Sequence, residues 1–181
     1  MTMNLRRRAS LLVLGAAAAM LVGCAAPRPS DYAAERPTLS LRDYFNGKVE
    51  AHGMFQDRAG KVVKRFTVMM DCSWQGDNGV LDEAFSFSDG STQRRVWKLK
   101  ALPDGRFTGT ADDVIGTAEG EQRGNAFQWR YTLRQPVGDT TYDVQMDDWM
   151  YLVDGKVMLN RAVMSKFGIR VGEVTLAFNR R

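Results

Sequence analysis

The sequence predicts an all-β protein, an antiparallel up-and-down meander of about ten strands closing into a lipocalin-like β-barrel, and three observations carry that prediction. From about Leu39 to the C-terminus, apolar residues recur with period two, the spacing of a strand that buries one face. Turn-forming pairs break the pattern at regular intervals, at Ala59-Gly60, Asn78-Gly79, Asp89-Gly90, Asp104-Gly105, Arg123-Gly124, Asp154-Gly155 and Phe167-Gly168. No stretch between them holds a helical period long enough for a crossover, so successive strands pair antiparallel.

The segments before the sheet have a different character. Arg6-Arg7-Arg8 precedes an apolar run over residues 11–22 that is too short to span a bilayer, which describes a signal peptide over residues 1–23. Its end, Leu21-Val22-Gly23-Cys24, resembles the bacterial lipobox. That resemblance implies a diacylglycerol on the Cys24 thiol, cleavage before it and acylation of the freed amine. Ala25 stands where an aspartate would signal retention at the inner membrane, which implies the outer membrane, periplasmic side. Residues 24–38 contain Pro27, Pro29 and Pro37 and no periodicity, so they read as a flexible tether reaching roughly 40 Å. Residues 39–181 then form one domain, opening with a helical turn over residues 39–45.

Strands are expected over residues 49–56, 61–74, 80–88, 93–102, 106–110, 114–119, 126–134, 142–152, 156–166 and 169–179. A meander leaves two unpaired edges unless it closes, and closure removes both. Gly109, Ala111, Gly116, Ala118 and Gly120 suit a sharply bent, crowded part of such a barrel. An open, strongly curved sheet around a short N-terminal helix is the alternative. Neither face carries an unbroken apolar belt with aromatic girdles, which argues against strands that cross a membrane.

The formal charge is +4, but Arg6, Arg7 and Arg8 leave with the signal, so the mature chain is near +1 and no nucleic-acid footprint remains. Of the two cysteines, Cys72 alone remains once Cys24 is lipidated, which rules out an intramolecular disulfide. Cys72 is in phase with Val68, Met70 and Trp74, the address of a buried thiol.

Strand phase also places charges on the apolar face. A two-residue turn at Asp154-Gly155 pairs Leu152 with Val157, Met150 with Leu159 and Asp148 with Arg161. A three-residue loop at Asp89-Gly90-Ser91 sets Glu83 opposite Trp97 and diagonal to Arg95, whereas a two-residue loop sends Arg95 to the other face. Asp148 with Arg161, and Glu83 with Arg95, are therefore candidate pairs inside the barrel. They are either structural ion pairs or the anchor for the polar end of an amphipathic ligand. Phe85, Phe87, Trp97, Met146 and Met150 are the candidate pocket lining. Met54, Met69, Met70, Met158 and Met164 add flexible side chains suited to an acyl chain or to a core.

Catalytic signals are missing from the pattern. The single histidine, His52, sits on the polar phase of its strand. The neighbouring carboxylates Asp82-Glu83, Asp112-Asp113 and Asp147-Asp148 point to opposite faces if they lie in strands, so none is a dyad by itself. Gly116, Gly120 and Gly124 precede no helix that could cradle a phosphate. No catalytic residue, metal ligand or cofactor is assigned.

Glu83 with Phe85, Asp89-Gly90, Arg95 with Trp97, and Ala111-Asp112-Asp113-Val114-Ile115-Gly116 with Ala118 and Gly120 form a set of clustered motifs. They continue with Asp147-Asp148-Trp149-Met150, Lys166-Phe167-Gly168 and Val171-Gly172. Together they resemble the proteobacterial lipoprotein family known as domain of unknown function 3833. The resemblance implies an exported lipoprotein with no established activity or cofactor, and it points toward lipid chemistry at the envelope. The functional expectation is a barrel that binds or shuttles an apolar or amphipathic molecule such as a fatty acid or lipid, with the membrane as partner through its lipid. The alternative is a structural or accessory lipoprotein supporting an envelope complex or a lipid-modifying enzyme, with an enzyme acting on lipids as a third class.

Overall fold

A computed structural model describes residues 26–181, so the lipidation residue Cys24 and the signal peptide lie outside the described residues. No helix among the described residues is long and apolar enough to cross a membrane. Among the described residues ten strands form one closed barrel: β1 (Gly47–Asp57), β2 (Val62–Gln75), β3 (Asn78–Phe87), β4 (Thr92–Ala101), β5 (Arg106–Thr110), β6 (Val114–Arg123), β7 (Ala126–Val137), β8 (Thr140–Leu152), β9 (Val157–Lys166) and β10 (Ile169–Arg180). Each pairs antiparallel with the next, and β1 closes on β10 from Val49 opposite Arg180 to Asp57 opposite Gly172. Closure removes the unpaired edges, and the open-sheet alternative is not what forms.

The short helix of that alternative is present, with a different role. Helix α1 (Leu41–Tyr44) starts at Ser40, whose hydroxyl accepts from the Asp43 amide at 3.3 Å. It lies across one end of the barrel, where Leu39, Leu41, Tyr44 and Phe45 are buried and form a floor. Phe45 meets Phe178 edge to face at 5.5 Å, Trp74 donates to the Phe45 carbonyl at 2.8 Å, and Tyr44 donates to the Lys156 carbonyl at 2.8 Å. Rings from two strands, β2 and β10, and the polar groups of the plug are thereby satisfied together.

The segment expected as a free tether is seated from Pro29 onward. A 3₁₀ turn, Pro29–Tyr32, packs on β6 and β7, with Pro29 buried and the Tyr32 ring 5.7 Å from Trp149 and 5.3 Å from Tyr151. The backbone of Tyr32 passes so close to Gly124, itself at φ +51°, that any β-carbon there collides with it. Glycine at the β6–β7 turn is what admits the N-terminal segment. Trp129 is accommodated in a similar way: a β-carbon at Gly109 would lie 2.9 Å from its ring.

Two expected registers are corrected. The β8–β9 loop is longer by one residue than a two-residue turn, because Val153 donates to Val157 and the Asp154 carboxylate accepts from the amides of Lys156 and Val157, both at 2.7 Å. Leu152 therefore faces Met158, Met150 faces Asn160 and Asp148 faces Ala162. One residue of slip turns the whole of β9 over, so that Met158, Asn160, Ala162 and Met164 point inward while Leu159 and Arg161 point to solvent. In the β3–β4 hairpin, Phe87 donates to Ser91 across residues 88–90, which shifts the partner of Glu83 by two residues, from Trp97 to Arg95. A shift of two preserves the face, so Glu83 and Arg95 both stay inside.

Candidate functional site

Above the floor the barrel encloses a cavity of about 750 Å³ that opens at the far end, beside Val63, Lys64, Thr92 and Pro136. Phe85, Phe87, Trp97, Met146 and Met150 all stand on its wall, as the strand phases indicate. Phe55, Phe66, Val174, Leu176 and Met164 continue the apolar wall, and Leu81, Phe127, Trp129 and Phe178 carry it down toward the plug. Met70 is buried against this core, whereas Met69 points outward. The aromatic rings interlock: Phe85 stacks on Phe87 at 5.9 Å, and Trp97 meets Trp129 at 5.6 Å and Tyr131 at 5.3 Å.

Polar groups gather at mid-depth. Arg95 holds Asp113 with its Nε and Nη2, at 2.9 and 2.7 Å to Oδ2, and its guanidinium lies 5.5 Å over the Phe85 ring. Glu83 lies farther from the same guanidinium, at 3.9 Å, and accepts no hydrogen bond among the described residues. Asp148 accepts a short hydrogen bond from the Asn160 amide, which also donates to the Trp149 carbonyl at 3.1 Å. The Asn160 Oδ1 is buried without a partner among the described residues.

The electrostatics follow from burial. Removal from water pushes the Glu83 carboxyl up to about 7 against the pull of Arg95, and Asp113 and Asp148 add to the rise. Burial likewise lifts Asp148 to about 7, opposed by the Asn160 hydrogen bond. Burial also holds Tyr131 above the usual phenol range. For Arg95 burial works toward neutrality, but Asp113 and Glu83 outweigh it and hold the guanidinium charged.

The expected partnership of Asp148 with Arg161 does not form. Arg161 lies on the outer face, 2.7 Å from Glu173, which Arg170 also reaches at 3.2 Å. The Glu83–Arg95 pairing does form, but Asp113 is the closer partner of that arginine. Sequence reasoning missed Asp113 because it sits in the β5–β6 turn, where strand phase assigns no face. It missed Asn160 through the register of β9. Cys72 is buried, and burial pushes its thiol up to about 12, as for an inert core cysteine. His52 is exposed, 3.5 Å from Glu50.

A family model described as "Protein of unknown function (DUF3833)" matches residues 18–180. No curated protein matches the sequence. Among solved structures, the barrel is similar to the S-type phycobiliprotein lyase CPES from Guillardia theta, with a TM-score of 0.59 at 9% identity over 79% of this chain and 93% of that one. At that identity the likeness is one of fold.

Proposed function

This chain belongs to the DUF3833 family of proteins of unknown function, and we propose that its barrel is a binding module that sequesters or shuttles an elongated apolar or amphipathic molecule, such as a fatty acid or lipid. One observation carries the reading: a cavity of about 750 Å³, closed at one end by α1 and open at the other, with a mainly apolar wall and a few convergent polar groups. Binding sites for small molecules have this volume and this composition. A packed structural core leaves no such space.

In this proposal the protein is a lipoprotein, lipidated at Cys24 and held at the periplasmic face of the outer membrane. The chain joins the barrel near the β6–β7 turn, at the plugged end. With Pro29 already seated, five residues (24–28) separate it from the lipid, a reach of about 17 Å. The plugged end then faces the membrane, and the mouth faces away from it, accessible to a donor or acceptor across the aqueous space. Native mass spectrometry of the protein purified from its own membrane tests the binding reading. An apolar molecule travelling with the protein is the expected result, and bare protein that also takes up no added fatty acid, alcohol or amine refutes it.

A specific observation supports a second reading, that of an accessory lipoprotein contacting an envelope partner. The β9–β10 hairpin at the mouth exposes Phe167, at 89%, with Ile169 and Val171 beside it. In that case Phe167→Asn abolishes partner recovery after crosslinking and leaves the ligand occupancy unchanged.

A further inference from the structure

Four strands separate β3 from β8 in either direction around the barrel, so Glu83 and Asp148 approach the cavity from opposite walls. Between and around them the hydrogen-bonding capacity is one-sided. Among the described residues Arg95 is the one cation in the cluster, and its short contacts go to Asp113. Glu83 is 9% exposed, lines the cavity and, with Arg95 Nη1 at 3.9 Å, has no donor within hydrogen-bond distance among the described residues. Asp148, at 7%, receives the Asn160 amide and lies beside the Tyr131 hydroxyl, and the remaining Asn160 oxygen, on a residue 3% exposed, has no donor among the described residues. Three carboxyls therefore share one arginine and the Tyr131 hydroxyl, and apart from the Arg95 Nη1 hydrogens, 3.9 Å from Glu83, the unused capacity of the cluster is that of acceptors.

A ligand that displaces water from such a cluster has to replace the donors that water supplies. A carboxylate brings more acceptors and a further negative charge beside two carboxyls whose own ionisation burial already opposes. An ammonium group brings several donors and the missing positive charge, to be met by charge-assisted hydrogen bonds. We infer that the polar end of the ligand held between Glu83 and Asp148 is a hydrogen-bond donor, a protonated amine, and that a carboxylate end is refused there. This inference rests on the ligand-binding reading above and narrows the class of amphiphile.

Three probes of equal chain length, dodecylamine, dodecanol and dodecanoate, test it by isothermal titration of the purified protein below their micelle concentrations. Dodecylamine is expected to bind at least about tenfold more tightly than dodecanoate, with dodecanol between them. Glu83→Gln is expected to weaken dodecylamine about tenfold and to leave dodecanol within about threefold. Asp148→Asn is expected to do the same from the opposite wall, which guards against a defect peculiar to one variant. Dodecanoate binding as tightly as dodecylamine, or dodecylamine binding that neither variant weakens, overturns the inference and leaves the apolar-carrier reading intact. Failure of all three probes to bind overturns both.

Discussion

Replacing Asp148 with Asn should stabilise the barrel at alkaline pH, contrary to what an Asp148–Arg161 ion pair would require. With Arg161 outside, no cation among the described residues pairs with Asp148, and burial pushes its carboxyl up to about 7 from the ordinary 3.8. Keeping such a group ionised costs the folded state roughly 4 kcal/mol relative to an unperturbed carboxylate. Below about pH 4 the carboxyl is protonated in both folded and unfolded chains and this cost is absent. Between about 4 and 7 the unfolded chain releases its proton first, so stability falls as the pH rises, and above 7 the full cost is present. Asparagine removes that cost but accepts the Asn160 hydrogen bond without its charge, a loss of about 1–2 kcal/mol. Its own amide adds a donor beside the unpartnered Asn160 oxygen. The net expectation is a gain of roughly 2 kcal/mol at pH 8.5, a rise of about 5 °C in Tm for a domain of this size, and little change at pH 4.5. Thermal and urea unfolding of parent and variant at both values measure it. Ionisations that do not feel Asp148 cancel in the difference, and Glu83, whose carboxyl Asp148 helps to raise, is relieved in the variant and adds in the same direction. Destabilisation by 2 kcal/mol or more at pH 8.5 would refute the reasoning, since it would mean that the carboxylate has a stabilising partner.

Asp113→Asn leaves the buried Arg95 guanidinium with only the more distant Glu83, and it should destabilise by about 2–4 kcal/mol in urea unfolding, with Asp113→Glu recovering part of the loss. Phe167→Asn should stabilise by about 1 kcal/mol: Phe167 and Gly168 both have positive φ, at 52° and 76°, a turn that favours Asn-Gly, and the ring is exposed. An unchanged or lower denaturation midpoint would count against that account of the turn. Cys24→Ser should remove the protein from the outer-membrane fraction; a variant that still fractionates there after high-salt washing refutes the lipid anchor.

The ten-strand meander was legible because period-two alternation and glycine turns are local signals, and each strand buries one face whatever its neighbours are. Phe85, Phe87, Trp97, Met146 and Met150 could be put on the cavity wall for the same reason. Arg161 could not be placed, because its face depends on whether the Asp154 turn holds two residues or three, and the backbone hydrogen bonds to the Asp154 carboxylate settle that. Asp113 lay beyond phase reasoning altogether, since a turn residue has no alternation to follow.

The strand count, the antiparallel order and the inward face of most strands belong to the sequence alone, as consequences of a repeat that each segment carries within itself. Closure of β1 on β10, the use of α1 as a floor and the existence of a cavity are decided by tertiary structure. The polar cluster depends on it as well, because Glu83 and Arg95 meet Asp148 and Asn160 only when β3 and β4 face β8 and β9 across the closed barrel. Such contacts join residues far apart in the chain, and whether the space between them is filled or left open follows from the radius of the whole sheet, which no single strand encodes.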